Sequence, residues 1–466
     1  MEQFIGKTVI KIKKAAPRFE LGIKDLQSSA LPLGHAADSV YREPNHYFNS
    51  LKSNYLLIIS NGHGEDLISL EIIKRLLDLD VFEKIEVLPL VGNGYIFDKY
   101  KNKKFRKVGH LNILPSGGFS NQSLISFWLD LKAGMFIDLF RNWMLIQKRA
   151  REGFNFVAVG DLLPLYFAWS SKSKFGFIGT PKSDHTWMSG PGYALSDIYH
   201  LLKGSEWDPW EMQLMKSSRC KFVIVRDLIT SKNLNKKNID ARYFGNPMMD
   251  FVNDELKEIK NLDDYQKIIM LIGSRFPEAF RNFNTFLDCL QKTNFAKKSL
   301  ILVPLTDNAN INLINFYLIK NNFEKDTNHK FLIGEDSIWF NKNIIILLGK
   351  NNFKIWANLA DVGLSNAGTA TEQISGLGIP SLSIPSNGPQ FTKAFAMRQQ
   401  RLLGGSVLVC KNKKILSAKL ISLLKDKEMR YRQARAGRIR MGKSGASQKI
   451  AHYIKLKLLK EYSKMD

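Results

Sequence analysis

Ser60-Asn61-Gly62-His63-Gly64-Glu65-Asp66 places two glycines, a histidine and two carboxylates within seven residues, just after an apolar run and just before a helical pattern. Glycines let backbone close on a ligand, and the free N–H groups of a helix start attract an anion. A histidine ordinarily titrates near neutrality, so His63 is a candidate to take a proton from a hydroxyl. The plainer reading is a tight turn, with His63 bonded to backbone and Asp66 set against the positive end of the helix dipole. The turn lacks the third glycine of a dinucleotide fingerprint and does not match a Walker loop.

Two further turns have similar chemistry. Gly273-Ser274-Arg275 precedes Pro277 and Glu278 at a helix start. An arginine there can fork two hydrogen bonds onto a diphosphate, or it can be an ordinary surface cation. Ser365-Asn366-Ala367-Gly368-Thr369-Ala370-Thr371-Glu372 is followed by Gly376, Gly378 and Pro380. Its small residues leave room for a ligand, and Gly368 and Thr369 offer N–H groups and a hydroxyl to phosphates. Glu372, in the first helical turn, suits both hydroxyls of a ribose, or it complements the helix dipole. Asp161 follows the apolar run Phe156–Val159 and is either a general base or the N-cap before Leu162 and Leu163. His185 and Trp187, in Ser183-Asp184-His185-Thr186-Trp187, either line a cleft or belong to an ordinary loop.

The elements that must hold these residues alternate strand and helix. Apolar runs at Tyr55–Ile59, Ile85–Leu90, Phe156–Val159, Phe175–Ile178 and Phe222–Val225 read as buried strands, and Leu67, Leu70, Ile73, Leu76 and Leu77 recur at helical spacing. A second series runs Ile268–Ile272, Leu300–Val303, Ile344–Leu348, Val362–Leu364 and Ile379–Ile384. Alternation of this kind gives parallel sheets built from βαβ units. The expected fold is α/β, two doubly wound Rossmann-like domains facing a cleft, with ligands at the carboxyl ends of the strands. Residues 53–245 form the first domain, 246–266 a hinge, 267–440 the second, and 441–466 a C-terminal helix packing back on the first. Residues 1–52 have no periodicity and read as a disordered tail. The stretch from Arg18 to Ala37 looks like a translated structural-RNA gene, which would put the true start later.

The chain has 466 residues with a net charge of +25, so an anionic partner is expected. Nucleic acid is disfavoured because aromatics do not interleave with Lys and Arg in a stacking pattern. The segment 128–151 mixes Trp128, Met135, Phe136, Phe140, Trp143 and Met144 with Arg141, Lys148, Arg149 and Arg151. Such a helix can lie on an anionic membrane surface, or it can be a core helix with a basic end. Three widely spaced cysteines suit a reducing cytoplasm, and neither they nor the eight histidines show metal-ligand spacing. Asp78-Leu79-Asp80 mimics a metal motif, but it sits at the end of an amphipathic helix.

On Phe244-Gly245-Asn246-Pro247 with Asp250, Gly273-Ser274-Arg275 with Glu278, and Gly368 to Glu372, the chain resembles the lipid-A-disaccharide synthase family over roughly residues 55–440. It is also similar to cyanobacterial proteins described as lipid-A-disaccharide-synthase-related. Pro385, Gln390 and Ala394 match a pattern of the peptidoglycan and galactolipid glycosyltransferases. The resemblance implies a GT-B glycosyltransferase with a UDP-sugar donor, a lipid or lipid-linked acceptor, no cofactor and no metal. It places Arg275 on the donor diphosphate, Glu372 on the ribose and Gln390 on the sugar, with Gly273, Ser274, Gly368 and Thr369 completing the donor-binding set. Asp161 becomes the base with His63 its rival, and Asn61, Gly62, Gly64 and Glu65 form an acceptor-side loop. A peripheral position on the cytoplasmic membrane face follows. The first turn departs from the families' glycine-rich loops, and Asp161 lacks the synthases' second aspartate just downstream. A UDP-sugar 2-epimerase shares this fold and donor site and is one alternative; a basic nucleic-acid-binding protein or a non-catalytic relative is the other.

Overall fold

The computed structural model describes residues 54–109, 135–190, 195–252 and 262–459, apart from positions 308, 329, 332, 387, 389 and 390. The expectations for residues 1–52, for Gln390 and for positions 128–134 of the aromatic-basic segment lie outside the described residues, as does the His63 side chain.

The first sheet contains β1 (Tyr55–Ser60), β2 (Lys84–Pro89), β3 (Phe105–Lys107), β4 (Asn155–Gly160), β5 (Phe175–Gly179), β6 (Cys220–Val225) and β7 (Ala241–Arg242). Their order is β3-β2-β1-β4-β5-β6-β7, and every pair is parallel. The chain leaves β1 in one direction and returns through β4 to build the other half. The sheet therefore has a switch point between β1 and β4, where an open α/β sheet binds ligands. Burial on both faces explains the near-continuous apolar runs: Leu56, Leu57, Ile58 and Ile59 are all fully buried.

The second sheet contains β8 (Gln266–Leu271), β9 (Ser299–Leu305), β10 (Glu324–Asp326), β11 (Ser337–Asn341), β12 (Ile344–Lys350), β13 (Val362–Ser365), β14 (Ser381–Ser383) and β15 (Val407–Val409). Its order is β10-β11-β12-β9-β8-β13-β14-β15. Here the purely parallel expectation needs correction, because β10, β11 and β12 pair antiparallel at one edge. Only two residues separate β11 from β12, and Lys342 takes the left-handed conformation of a tight hairpin (φ 52°). The switch point lies between β8 and β13, which bear the second and third turns.

Two C-terminal helices tie the lobes together. The helix Lys427–Met441 packs on the helix Thr369–Leu377, and the helix Ala446–Leu458 packs on the helix His63–Asp78 of the first lobe. Ile450, Ala451, Ile454 and Leu458 share one apolar cluster with Leu56, Ile58, Ile72 and Leu76. Asp250 accepts the backbone N–H groups of Gly445 and Ser447, at the start of that last helix. Gly245 lies so close that a Cβ there would sit 3.2 Å from the Ala446 Cβ. The Phe244-to-Asp250 motif thus fastens the crossover of the chain. No helix of the described residues is long and apolar enough to cross a membrane.

Candidate functional site

On the first lobe, the switch point brings the turns after β1 and β4 side by side. Gly62 (φ 118°) opens the helix His63–Asp78. Gly160 (φ 137°) ends β4 where a Cβ would lie 2.9 Å from the Asn61 Cβ. This close approach requires glycine and sets Asn61 against Asp161. Asn61 Nδ2 donates to Asp161 Oδ1 at 2.7 Å, and the Leu163 N–H donates to the same oxygen at 3.2 Å. Asp161 is therefore the N-cap of the helix Leu162–Ser170 as well as a cleft carboxyl. The Asn61 amide oxygen is buried without a hydrogen-bond partner, which is uncommon for a buried polar atom and suits a ligand donor.

Glu65 stands beside this pair. Its Oε1 accepts from the Thr180 hydroxyl, at the end of β5, at 3.2 Å. Burial pushes the Glu65 carboxyl up to about 7; its own backbone N–H and Thr180 pull the other way, and the charge of Asp161 adds to the rise. Asp66, 1% exposed, accepts from the Ser60 hydroxyl and is likewise pushed up to about 7 by burial. Burial also raises the Asp161 carboxyl. Three carboxyls reluctant to ionise at one strand-end cluster are the kind of feature that marks functional sites.

On the second lobe, the turns after β8 and β13 touch. A Cβ at Gly273 (φ 90°) would lie 3.3 Å from the Asn366 carbonyl oxygen. Asn366, nearly fully buried, donates to Asn282 Oδ1 and to the Ile384 carbonyl, locking both turns to the sheet. Gly368 has open space where a Cβ would project, and it caps the helix Thr369–Leu377 with no side-chain hydrogen bond to the cap. Ser274 is exposed and Arg275 half-buried at the same mouth. Burial pulls the Arg275 guanidinium below its usual value, while Glu278 pulls it back up. Glu278 does more than complement a helix dipole: it is 3% exposed and its Oε1 accepts from the Ser386 hydroxyl and the Phe391 N–H. It anchors Ser386 and Phe391.

The two sets of turns face each other. A Cβ at Gly64 would lie 3.5 Å from Thr369 Oγ1. Arg226, one residue past β6, donates through Nη2 to Glu372 Oε2 at 2.8 Å. Arg398–Glu206 at 2.6 Å and Arg440 Nη2 to Ser189 Oγ at 2.8 Å join the lobes nearby. Sequence reasoning passed over Arg226, Thr180 and Glu206. The position rule that marked Asp161, the end of an apolar strand, would also have found Arg226. Trp187 is buried at 8% exposure in the short helix His185–Met188, while His185 beside it is half-buried. Among the described residues, no three His, Cys, Asp or Glu side chains converge as metal ligands.

No family model matches the chain. Over 248 residues, 48% of this chain, it is 26% identical to the lipid-A-disaccharide synthase of Rickettsia prowazekii (strain Madrid E), and it spans 59% of that protein's length. Similar solved structures include the UDP-GlcNAc 2-epimerase of Neisseria meningitidis bound to UDP-GlcNAc (TM-score 0.51, 15% identity, 87% of this chain and 100% of that one). The S. aureus MnaA–UDP co-structure is another (TM-score 0.53, 13% identity, 87% and 97%). A third is Arabidopsis thaliana UGT89C1 complexed with UDP-L-rhamnose (TM-score 0.51, 10% identity, 86% and 97%). At these identities the structural likeness establishes the fold, two Rossmann-like domains, and nothing further. The resemblance to lipid-A-disaccharide synthases read from the sequence is shared by the curated relative.

Proposed function

We propose that the protein is a glycosyltransferase moving a hexose or N-acetylhexosamine from a UDP-sugar to a lipid-linked acceptor. One observation carries this most: the empty-capped helix start at Gly368–Thr369, with Glu372 in its first turn, faces the carboxyl cluster of the opposite lobe. A diphosphate fits the first and a hydroxyl nucleophile the second. The helix N-termini at Gly368 and Gly273, with Arg275, supply positive charge where the diphosphate departs, without calling for a metal. Glu372 takes the ribose and Gln390 the sugar. The attacking acceptor hydroxyl gives its proton to Asp161 as its oxygen bonds the anomeric carbon and the bond to the diphosphate breaks, with inversion, while a neighbouring acceptor hydroxyl donates to the unpartnered Asn61 oxygen. His63 remains the rival base.

The lipid class of the acceptor draws support from the helix Met135–Arg151. Phe136, Ile137, Phe140 and Met144 are more than half exposed, whereas Asp138, Asn142 and Arg149 on its other side are buried. The helix thus keeps an exposed apolar strip beside its packed side, on which Ile146 is fully buried. Leu162 and Tyr166 continue the exposed apolar face from beside Asp161. It ends at a cavity of about 590 Å³ lined by Trp143, Tyr166, Trp169, Lys172 and Arg219, a basic border suited to anionic headgroups. The peripheral membrane position is part of the same proposal.

Incubation with radiolabelled UDP-GlcNAc and extracted bacterial lipids tests it. Label should enter the lipid fraction, with UDP released in equal amount. A second reading rests on the same carboxyls: three near one sugar site also suit a 2-epimerase. Free epimerised sugar formed without any acceptor would replace the transferase by that enzyme.

A further inference from the structure

Arg226 belongs to the first lobe, yet it ends on the residue assigned to the ribose in the second. Its side chain is 6% exposed. Nη1 donates to the Thr180 carbonyl at 3.2 Å, inside its own lobe, and Nη2 to Glu372 Oε2 at 2.8 Å. Met441 Sδ, on the crossover helix, lies 3.8 Å from Nη2. A guanidinium is a rigid planar fork, so the bond to the Thr180 carbonyl sets the direction in which its other arm points. Burial weighs against the charge, and Glu372, helped by Asp227 and Glu65, more than offsets it. Removing either partner would leave a buried ion uncompensated.

We propose that Arg226 is a positioning residue of the nucleotide site, contributed by the opposite lobe. It holds one oxygen of Glu372 so that the other oxygen and the remaining lone pairs meet the ribose diol. The nucleotide site is thereby complete only when the lobes are together. This rests on the assignment of Glu372 to the ribose. Arg226 is not needed to hold the lobes in register, because Arg398–Glu206, Arg401–Asp197 and Arg440–Ser189 span the same gap. A half-buried carboxylate that rotates freely would lose much of its preference for a diol, since both hydrogen bonds depend on its plane.

The test compares calorimetric binding of UDP and of 2′,3′-dideoxyuridine diphosphate, which lacks the hydroxyls, on the full chain. The wild type should prefer UDP by about tenfold or more, the scale of hydrogen bonds to a charged group. Glu372→Gln should lose most of that preference. Arg226→Met should lose it too, with dideoxy affinity unchanged, and Arg226→Lys should recover part of it. The lysine variant also serves if Arg226→Met fails to fold. Equal weakening of both nucleotides by Arg226→Met would mean a merely structural role and would overturn the proposal. Tighter UDP binding would overturn it as well, by showing that Arg226 competes with the ribose. Preference lost in Glu372→Gln but kept in both Arg226 variants would remove Arg226 alone. A wild type without preference would remove the ribose assignment first, and the proposal with it.

Discussion

Glu65 and Asp66 are neighbours in sequence but face different ways: Glu65 toward Thr180 and Asp161, Asp66 toward Ser60 in the floor of the turn. Both carboxyls are raised to about 7, from ordinary values of 4.5 and 3.8. The native state therefore binds more protons than the unfolded chain between pH 4 and 7, so stability falls as pH rises through that window. Below it the penalty is absent, and above it the penalty is constant. The melting temperature, scanned by circular dichroism, should drop from pH 5 to pH 7.5. Glu65→Gln and Asp66→Asn should each flatten part of that drop. A profile unchanged in both variants would place the titration elsewhere. At this scale the sequence was informative about residue type and position but not about partnership. Asp161 reads as a base or as an N-cap, and it is an N-cap that also accepts from Asn61. Glu278 reads as a dipole partner, but its bonds to Ser386 and Phe391 reach more than a hundred positions along the chain.

Among the elements, those with continuous apolar runs were legible. The strands from β1 to β6 and from β8 to β14 that bury both faces fall where their Val, Ile and Leu runs predict. Those that escaped are short or edge elements such as β7, with two residues, and β10, with three, where too few side chains are buried to leave a pattern. The helix Met135–Arg151 was the ambiguous case, readable as core or surface. It has both: Ile146 packs in the core, while Phe136, Ile137, Phe140 and Met144 stay exposed. Phe140→Glu with Met144→Glu should weaken binding to phosphatidylglycerol-containing liposomes at least about tenfold in flotation assays, since each buried apolar side chain contributes roughly 1.5–3 kcal/mol. Raising salt should weaken the wild type as well. Equal flotation of variant and wild type would detach this helix from the membrane.

Across the whole molecule, the recurring device is arginine reaching between lobes: Arg226, Arg398, Arg401 and Arg440 each end on a group of the other lobe. These four are paired across the lobes, and composition alone could not separate them from the other cations behind the +25 net charge. The long-range pairing of Arg226 with Glu372 spans 146 positions and no local pattern encodes it. The two doubly wound sheets, by contrast, were legible because each repeats the same strand–turn–helix grammar. The central claim is a nucleotide diphosphate site at Gly368–Glu372. Isothermal titration of the chain with UDP, beside Glu372→Ala, tests it most directly. Saturable one-site binding that weakens about ten- to a hundredfold in the variant is the predicted result. No heat of binding with the wild type, or equal affinity in the variant, would contradict it.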